Sequence, residues 1–232
     1  MPTRTSKSFV VAIDGPSGVG KSTAAARLAE AFGFHWAQSG AMYRAVGWLV
    51  ESSGVPRGDS GRIGALIAES RIRIALRSGE AAVRVNGREM PEDLAGEAVG
   101  GAAWAVAVRP AVRKAVTAQL RRLRCQGSLV MEGRDIGTVV FPDADIKFFL
   151  DASLEVRAQR RWREMHSAKH GQSLEEVKRA IAARDRQDRT RALAPLAAAE
   201  DAQVIDTSDF SIDGVVSTMV SGMQHIITTG NG

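Results

Sequence analysis

The apolar run Phe9, Val10, Val11, Ala12, Ile13 stops at Asp14 and a glycine-rich stretch, after which apolar positions recur at helical spacing from Ala24 to Phe32. A short run of this kind predicts a strand buried on both faces, and the periodicity after it predicts a helix. Gly33 to Gly40 reads as a turn-like stretch containing His35 and Trp36, followed by a second helix from Ala41 to Ser52. Gly54, Pro56, Gly58, Asp59 and Gly61 then break the chain. From Arg71 the period changes to two. Arg71, Ile72, Arg73 and Ile74 alternate, as do Ala82, Val83, Arg84 and Val85, and Asn86-Gly87 is a hairpin signal, so a small antiparallel unit is expected inside an α/β chain.

Helical spacing returns near Ala98, is interrupted at Pro110, and resumes over Ala111 to Arg124. Ser128 to Met131 is short, apolar and followed by Glu132-Gly133-Arg134-Asp135, the pattern of a buried parallel strand that delivers charged residues at its carboxyl end. Ile146 to Leu150 repeats that pattern and ends at Asp151. A helix over Ser153 to Met165 carries Arg157, Arg160, Arg161 and Arg163; the polar His166 to Gln172 suits the tip of a lid. Leu174 to Arg189 reads as a helix, Gln203 to Asp206 as a last strand, and an amphipathic helix begins near Ile212. Strands alternating with helices imply a parallel sheet covered on both faces.

Gly15-Pro16-Ser17-Gly18-Val19-Gly20-Lys21-Ser22 fits G-x-x-x-x-G-K-[ST] between the first strand and the first helix, the context that makes this a phosphate loop. Close approach of backbone amides to a polyanion requires positions without a Cβ, which Gly15, Gly18 and Gly20 supply. Lys21 then reaches the β and γ phosphates, Ser22 is a ligand for Mg²⁺, and Thr23 lies in the first turn of a helix whose N-terminus favours negative charge.

The chain has 232 residues, 44% hydrophobic and 25% charged, which suits one substantial α/β core. Its 31 basic residues, mostly arginine, give a formal net charge of +5 and favour an anionic partner: a nucleotide, a nucleic acid or an anionic surface. Cys125 is the single cysteine, so neither an internal disulfide nor a cysteine-based metal cluster is available; a reducing, cytoplasmic setting is expected. The first apolar run is too short for a signal-peptide core, and no apolar stretch approaches the ~20 residues of a membrane span.

In Arg184 to Arg191, positions 184, 188 and 191 are separated by four and three residues. On a helix, Arg184, Asp188 and Arg191 would share a face, with two guanidinium groups flanking one carboxylate. Arginines of this kind answer a physical need, because phosphate groups brought together for transfer repel by ~4 kcal/mol per unit-charge pair at 4 Å and an effective dielectric of 20. Ser39-Gly40-Ala41-Met42-Tyr43-Arg44 adds a hydroxyl, an aromatic ring and a guanidinium at the start of a helix.

The phosphate loop in its Ile-Asp-Gly-Pro-Ser-Gly setting, Ser39 to Arg44, Glu132 to Pro142, and Arg184 to Arg191 with Ala194-Pro195-Leu196 together resemble the bacterial cytidylate kinases, in order and over nearly the whole chain. The resemblance implies a nucleoside monophosphate kinase fold: a P-loop three-layer α/β/α parallel sheet, with a small antiparallel β insert that binds the monophosphate and a helical lid. It implies a core over residues 1–62 and 113–232, an insert over 63–112, and a lid near 157–172. The implied reaction is transfer of the γ-phosphoryl of MgATP to CMP or dCMP. By similarity, Gly15 to Thr23 with Arg157 and Arg161 would serve ATP. Ser39, Tyr43, Arg184 and Asp188 would hold the sugar side of the acceptor, Arg44, Arg134 and Arg191 its phosphate, and Arg113 with Asp135 the cytosine edge. Lys21, Arg134 and Arg191 would act in transfer, and a monomer is expected.

Three positions depart from the family pattern: Trp104 in place of a serine, Gln38 in place of an Asp, and Leu94-Ala95-Gly96 in place of Ile-Arg-Thr. They bear on base selectivity. Two rivals are a phosphate-loop kinase acting on an alcohol such as shikimate, which would need a base-like carboxylate, and a nucleotide-regulated nucleic-acid-binding protein. The paired arginines argue against the first, and the chain shows no basic stripe with aromatics for the second. The GTPase motif Asn-Lys-x-Asp does not occur.

Overall fold

A computed structural model describes residues 8–77, 80–90, 97–167 and 172–229, so Leu94-Ala95-Gly96 and the centre of the expected lid tip lie outside the described residues. In chain order the elements are β1 (Val10–Asp14), α1 (Lys21–Phe32), β2 (His35–Gln38), α2 (Ser39–Ser52), α3 (Ser60–Glu69), β3 (Ile72–Arg77), β4 (Glu80–Val85), β5 (Arg88–Glu89), α4 (Glu97–Ala107) and α5 (Pro110–Arg121). They continue with β6 (Leu129–Gly133), β7 (Ile146–Asp151), α6 (Leu154–Ser167), α7 (Leu174–Thr190), β8 (Gln203–Asp206) and α8 (Ile212–Thr229). A 3₁₀ turn follows α5 over Arg122–Gln126, and a π turn over Ile136–Val140 follows β6.

The chain divides into two compact units, one formed by residues 1–9 and 34–129, the other by 10–33 and 130–232. The second is an α/β unit with strand order β6-β1-β7-β8, in which β1–β7 and β7–β8 are parallel. Every residue of β1 and β6 is buried, as the continuous apolar runs predict for strands covered on both faces. The strands therefore end together and place Asp14 and Glu132 near their carboxyl ends, where open parallel sheets bind ligands. Helix α1 ends at Gly33 in the left-handed conformation (φ 64°), whose N–H bonds to the carbonyls of Ala29 and Glu30. Helix α7 opens with a reciprocal cap: Ser173 Oγ accepts from the Glu176 N–H at 3.3 Å and Glu176 Oε2 accepts from the Ser173 N–H at 2.8 Å.

In the first unit β3 and β4 are antiparallel, in register from Ile72↔Val85 to Arg77↔Glu80. The Asn86-Gly87 turn joins β4 to the short β5, with positive φ at both residues (52° and 84°). Two elements differ from the pattern-based expectation. The stretch expected to be a turn contains β2, which pairs in parallel with β4 through Trp36↔Glu80. Helix α3 begins among the breakers, started by Asp59, whose carboxylate accepts from the Arg62 N–H at 2.9 Å.

Helix α2, which carries Ser39, Tyr43 and Arg44, packs closely on α4 at Gly47, where a Cβ would lie 2.6 Å from the Ala103 nitrogen. Gly47→Ala is therefore expected to force the two helices apart and destabilise the protein by ~1–3 kcal/mol. Chemical denaturation of both proteins measures this; equal midpoints would show that the helices adjust freely.

Candidate functional site

The phosphate loop joins β1 to α1, and its conformation needs the glycines the motif supplies. Gly15, Gly18 and Gly20 have φ of 148°, 81° and 89°, and a Cβ on Gly15 would lie 2.1 Å from the Leu150 carbonyl oxygen. Gly20 caps α1 without a side-chain hydrogen bond, so no side chain competes for the first-turn amides that make a helix N-terminus an anion site. Pro16 and Val19 are buried, whereas Ser22 and Thr23 are exposed at the start of α1.

Lys21 is buried, and its ammonium donates to the Pro16 carbonyl at 2.6 Å. Burial, and then the neighbouring Arg134 charge, push its pKa down to about 7, against the pull of Glu132, Asp14 and Asp188. Ser22 Oγ donates to Glu132 Oε1 at 3.0 Å, which places a hydroxyl beside a buried carboxylate. Asp14 is also buried, its pKa raised to about 6 mainly by desolvation, while the amides of Gly137 and Ile136 hold it down.

Behind the loop lies Arg157, which is buried and bound on several sides. Its Nε donates to the Ala152 carbonyl at 2.9 Å, and its Nη1 donates to Asp185 Oδ2 at 2.5 Å and to the Ser17 carbonyl at 3.2 Å. Arg161, one turn later on α6, is exposed and pairs with Glu164 at 3.1 Å. The two arginines read together from the sequence thus sit in different surroundings. Arg157 was expected beside ATP from the family resemblance; its partners Asp185 and Ser17 are too distant in sequence for spacing to reveal.

The second cluster gathers around Asp188. Arg134 Nε donates to Asp188 Oδ2 at 3.0 Å, and Arg191 Nη1 lies 3.9 Å from Oδ1 of the same carboxylate. Arg191 Nη2 reaches Asp135 Oδ1 at 3.5 Å, and its Nε donates to the Ala194 carbonyl at 2.7 Å. Arg134 and Arg191 thus both approach the Asp188 carboxylate. Arg191 follows the end of α7 in an extended conformation (ψ 139°), outside the helical face on which spacing had placed it with Arg184. Arg184 is exposed on α7. Asp135 and Asp188 are each 4% exposed, so the carboxylates that hold the arginines are themselves shielded from water.

In the first unit Ser39 is buried at the start of α2, and Arg44 Nη2 donates to Gln38 Oε1 at 3.1 Å. Gln38 holds the guanidinium without neutralising it, which an Asp at that position would do. Arg113, from α5, is buried, lies 5.7 Å from the centre of the Tyr43 ring, and donates to the Ala107 carbonyl at 3.1 Å. Trp104 is half-buried on α4, its indole N–H buried without a hydrogen-bond partner. Among the described residues no cluster of three or more His, Cys, Asp and Glu side chains could hold a metal ion by itself.

Residues 11–225 match the family model described as cytidylate kinase. A cytidylate kinase of Nitratidesulfovibrio vulgaris is 41% identical over 94% of this chain and 92% of its own length. One of Cupriavidus necator is 42% identical over 91% of this chain and 93% of its own length. A bifunctional pantoate ligase/cytidylate kinase of a Synechococcus species is 42% identical over 92% of this chain, which spans 44% of that longer protein.

A polyphosphate bound against the buried lysine would bind with a pH dependence of defined direction. The lysine pKa is lowered from 10.5 to about 7, so at pH 8 the folded protein holds Lys21 largely neutral, and a bound polyanion that favours the ammonium must draw in a proton. Calorimetric titration with ATP at pH 8, in buffers of different ionisation enthalpy, should show net uptake approaching about one proton, absent in Lys21→Met. Identical proton linkage in the two proteins would show that Lys21 stays charged throughout.

Proposed function

We propose that this chain, which belongs to the cytidylate kinase family, transfers the γ-phosphoryl group of ATP to CMP or dCMP and yields CDP or dCDP. The observation that best supports the reading is the second unit's combination of a phosphate loop with a buried lysine and two arginines held on shielded carboxylates.

The chemistry asks for positioning and charge stabilisation more than for a proton-transfer group. A phosphate monoester has its second pKa near 6, so the acceptor arrives mainly as a dianion and needs no general base. What opposes transfer is repulsion between donor and acceptor phosphates, ~4 kcal/mol for unit charges 4 Å apart at an effective dielectric of 20. Lys21 and the loop amides hold the donor, while Arg44, Arg134 and Arg191 hold the acceptor phosphate and offset that repulsion. Arg157 serves ATP through the Ser17 carbonyl it holds, and Arg161 from the exposed face of α6. Ser39, Tyr43, Arg184 and Asp188 contact the sugar side of the acceptor. Arg113 and Asp135 read the base: a carboxylate accepts from the exocyclic amine of cytosine and repels the carbonyl that uracil presents there.

The donor set suits Mg²⁺, since Ser22 Oγ and the buried Glu132 carboxylate are hard oxygen donors 3.0 Å apart. Magnesium binds through one or two such groups plus phosphates and water. When bound, it neutralises charge between the donor phosphates. In this reading the 63–112 insert serves the acceptor and the 157–172 segment acts as a lid that excludes water. The chain works as a cytoplasmic monomer on small nucleotides, without a nucleic-acid or membrane partner; no described helix is long and apolar enough to cross a membrane.

A coupled ATP-consumption assay with CMP, dCMP, UMP, AMP, GMP and shikimate as acceptors tests the proposal. Turnover should depend on CMP and dCMP, and Asp135→Ala should lower kcat/KM for CMP by about 10- to 100-fold, the range for losing a hydrogen bond to a charged group. Preference for UMP would show that the Trp104 and Gln38 departures had altered the base pocket, and absence of acceptor-dependent turnover would overturn the kinase reading.

A further inference from the structure

We propose that Asp14 is a positioning residue for the acceptor side of the reaction: through two backbone hydrogen bonds its buried carboxylate sets the turn that carries Arg134 and Asp135. The inference rests on the roles proposed above for those two residues. Asp14 ends β1, immediately before the phosphate loop, and is 4% exposed. Its two oxygens are divided between adjacent amides: Oδ1 accepts from the Ile136 N–H at 2.8 Å and Oδ2 from the Gly137 N–H at 2.7 Å.

Those amides open an unusual piece of backbone. Asp135 has φ −149° and ψ 28°, and the next five residues form a π turn, with Val139 and Val140 both donating to the Asp135 carbonyl and Phe141 donating to that of Ile136. The opening N–H groups of a helical turn have no partner within it, and left buried each would carry a desolvation cost. Asp14 satisfies two of them at once, one residue after Asp135 and two after Arg134. Gly137 sits against the same carboxylate at ordinary contact distance, a Cβ there lying 3.4 Å from Asp14 Oδ2, so the link is made by the two hydrogen bonds and not by a lack of room. A single carboxylate thus links the peptide that begins the phosphate loop to the turn that aims the acceptor groups. A proline at 136 or 137 would remove one of the two donors.

Asp145 provides an internal comparison. Its Oδ2 accepts from the Val10 N–H at 2.9 Å and fastens the opposite end of β1, far along the strand from Arg134 and Asp135. If a backbone-bound carboxylate matters only for stability, the two should behave alike.

The test compares Asp14→Asn, Asp14→Glu and Asp145→Asn with the unaltered full chain. Asparagine keeps the size of the side chain but turns an NH₂ toward one of the two amides, and Asp14→Glu displaces both oxygens from the amides by one methylene while leaving the charge near Lys21 in place. Both should raise the KM for CMP by about tenfold or more and shrink discrimination between CMP and UMP, with a smaller change in the KM for ATP. Backbone hydrogen exchange over 136–140 should accelerate in both. Asp145→Asn should lower thermal stability and leave these ratios unchanged. Equal losses for CMP and UMP, or unaltered exchange over 136–140 in the folded variants, would overturn the proposal. If Asp14→Asn does not fold, Asp14→Glu decides. Absence of CMP-dependent turnover in the unaltered protein would fail the kinase reading instead, and the exchange data would still report whether Asp14 holds the turn.

Discussion

Charge taken out of water has to be compensated where it is buried, and the second unit gathers buried cations and buried carboxylates under that constraint. Lys21 and Arg191 are nearly inaccessible and Arg134 is mostly so, while Asp14, Glu132, Asp135 and Asp188 are each less than 9% exposed. Arg134 and Arg191 pair with Asp188 and Asp135 in a low-dielectric setting, where breaking one pair would strand its partner at a cost of roughly 3–5 kcal/mol, while Lys21 bonds to the Pro16 carbonyl within the field of Glu132, Asp14 and Asp188. Such a cluster is poor evidence of stability, since hydrophobic residues of similar volume often do as well. Its value lies in holding charge in fixed directions, which is what phosphoryl transfer requires of a protein.

Fixed direction is a backbone matter before it is an electrostatic one. Asp14 and Glu132 come from β1 and β6, strands buried along their whole length, so neither can turn without disturbing the sheet. Asp188 is anchored near the end of α7, where its own carbonyl accepts from the Leu196 N–H at 2.8 Å and folds the chain back after Arg191. Ala194, at φ 50°, completes that reversal and presents the carbonyl to which Arg191 Nε donates. The left-handed conformation costs an alanine energy that a glycine would not lose, so tight local hydrogen bonding must offset it.

The parts legible from sequence were those whose cause is local. The phosphate loop, α1, β1, β7 and β8 follow from apolar runs, periodicity and glycine placement within a few residues, and β8 falls on the expected Gln203–Asp206. β2 was read as a turn because His35–Gln38 lies between glycines without alternation; it is a strand because Glu80 of β4 pairs with Trp36, a tertiary cause. Helical spacing sets Arg184 and Arg191 beside Asp188, whereas the 3.0 Å bond to that carboxylate comes from Arg134, 54 residues away. The chain end of α7 decides this: Arg191 leaves the helix and reaches Asp135, and no periodicity within α7 encodes that exit. The backbone role of Asp14 was illegible for the same reason, since its partners lie more than 120 residues on.

The pKa shifts show what this arrangement costs the fold. Asp14 is raised from 3.8 to about 6, so its stabilising contribution is complete below its unfolded pKa and is lost as pH rises through 6. Lys21 is lowered from 10.5 to about 7, so its contribution is complete above its unfolded pKa and is lost as pH falls through 7. Both groups are therefore in their disfavoured, charged forms between pH 6 and 7, and both oppose folding most fully in that window. A core selected for stability would carry neither charge there. Keeping both near neutral pH trades stability for a lysine that a polyanion can stabilise and a carboxylate strong enough to hold two amides, the compromise expected where local order serves chemistry rather than folding.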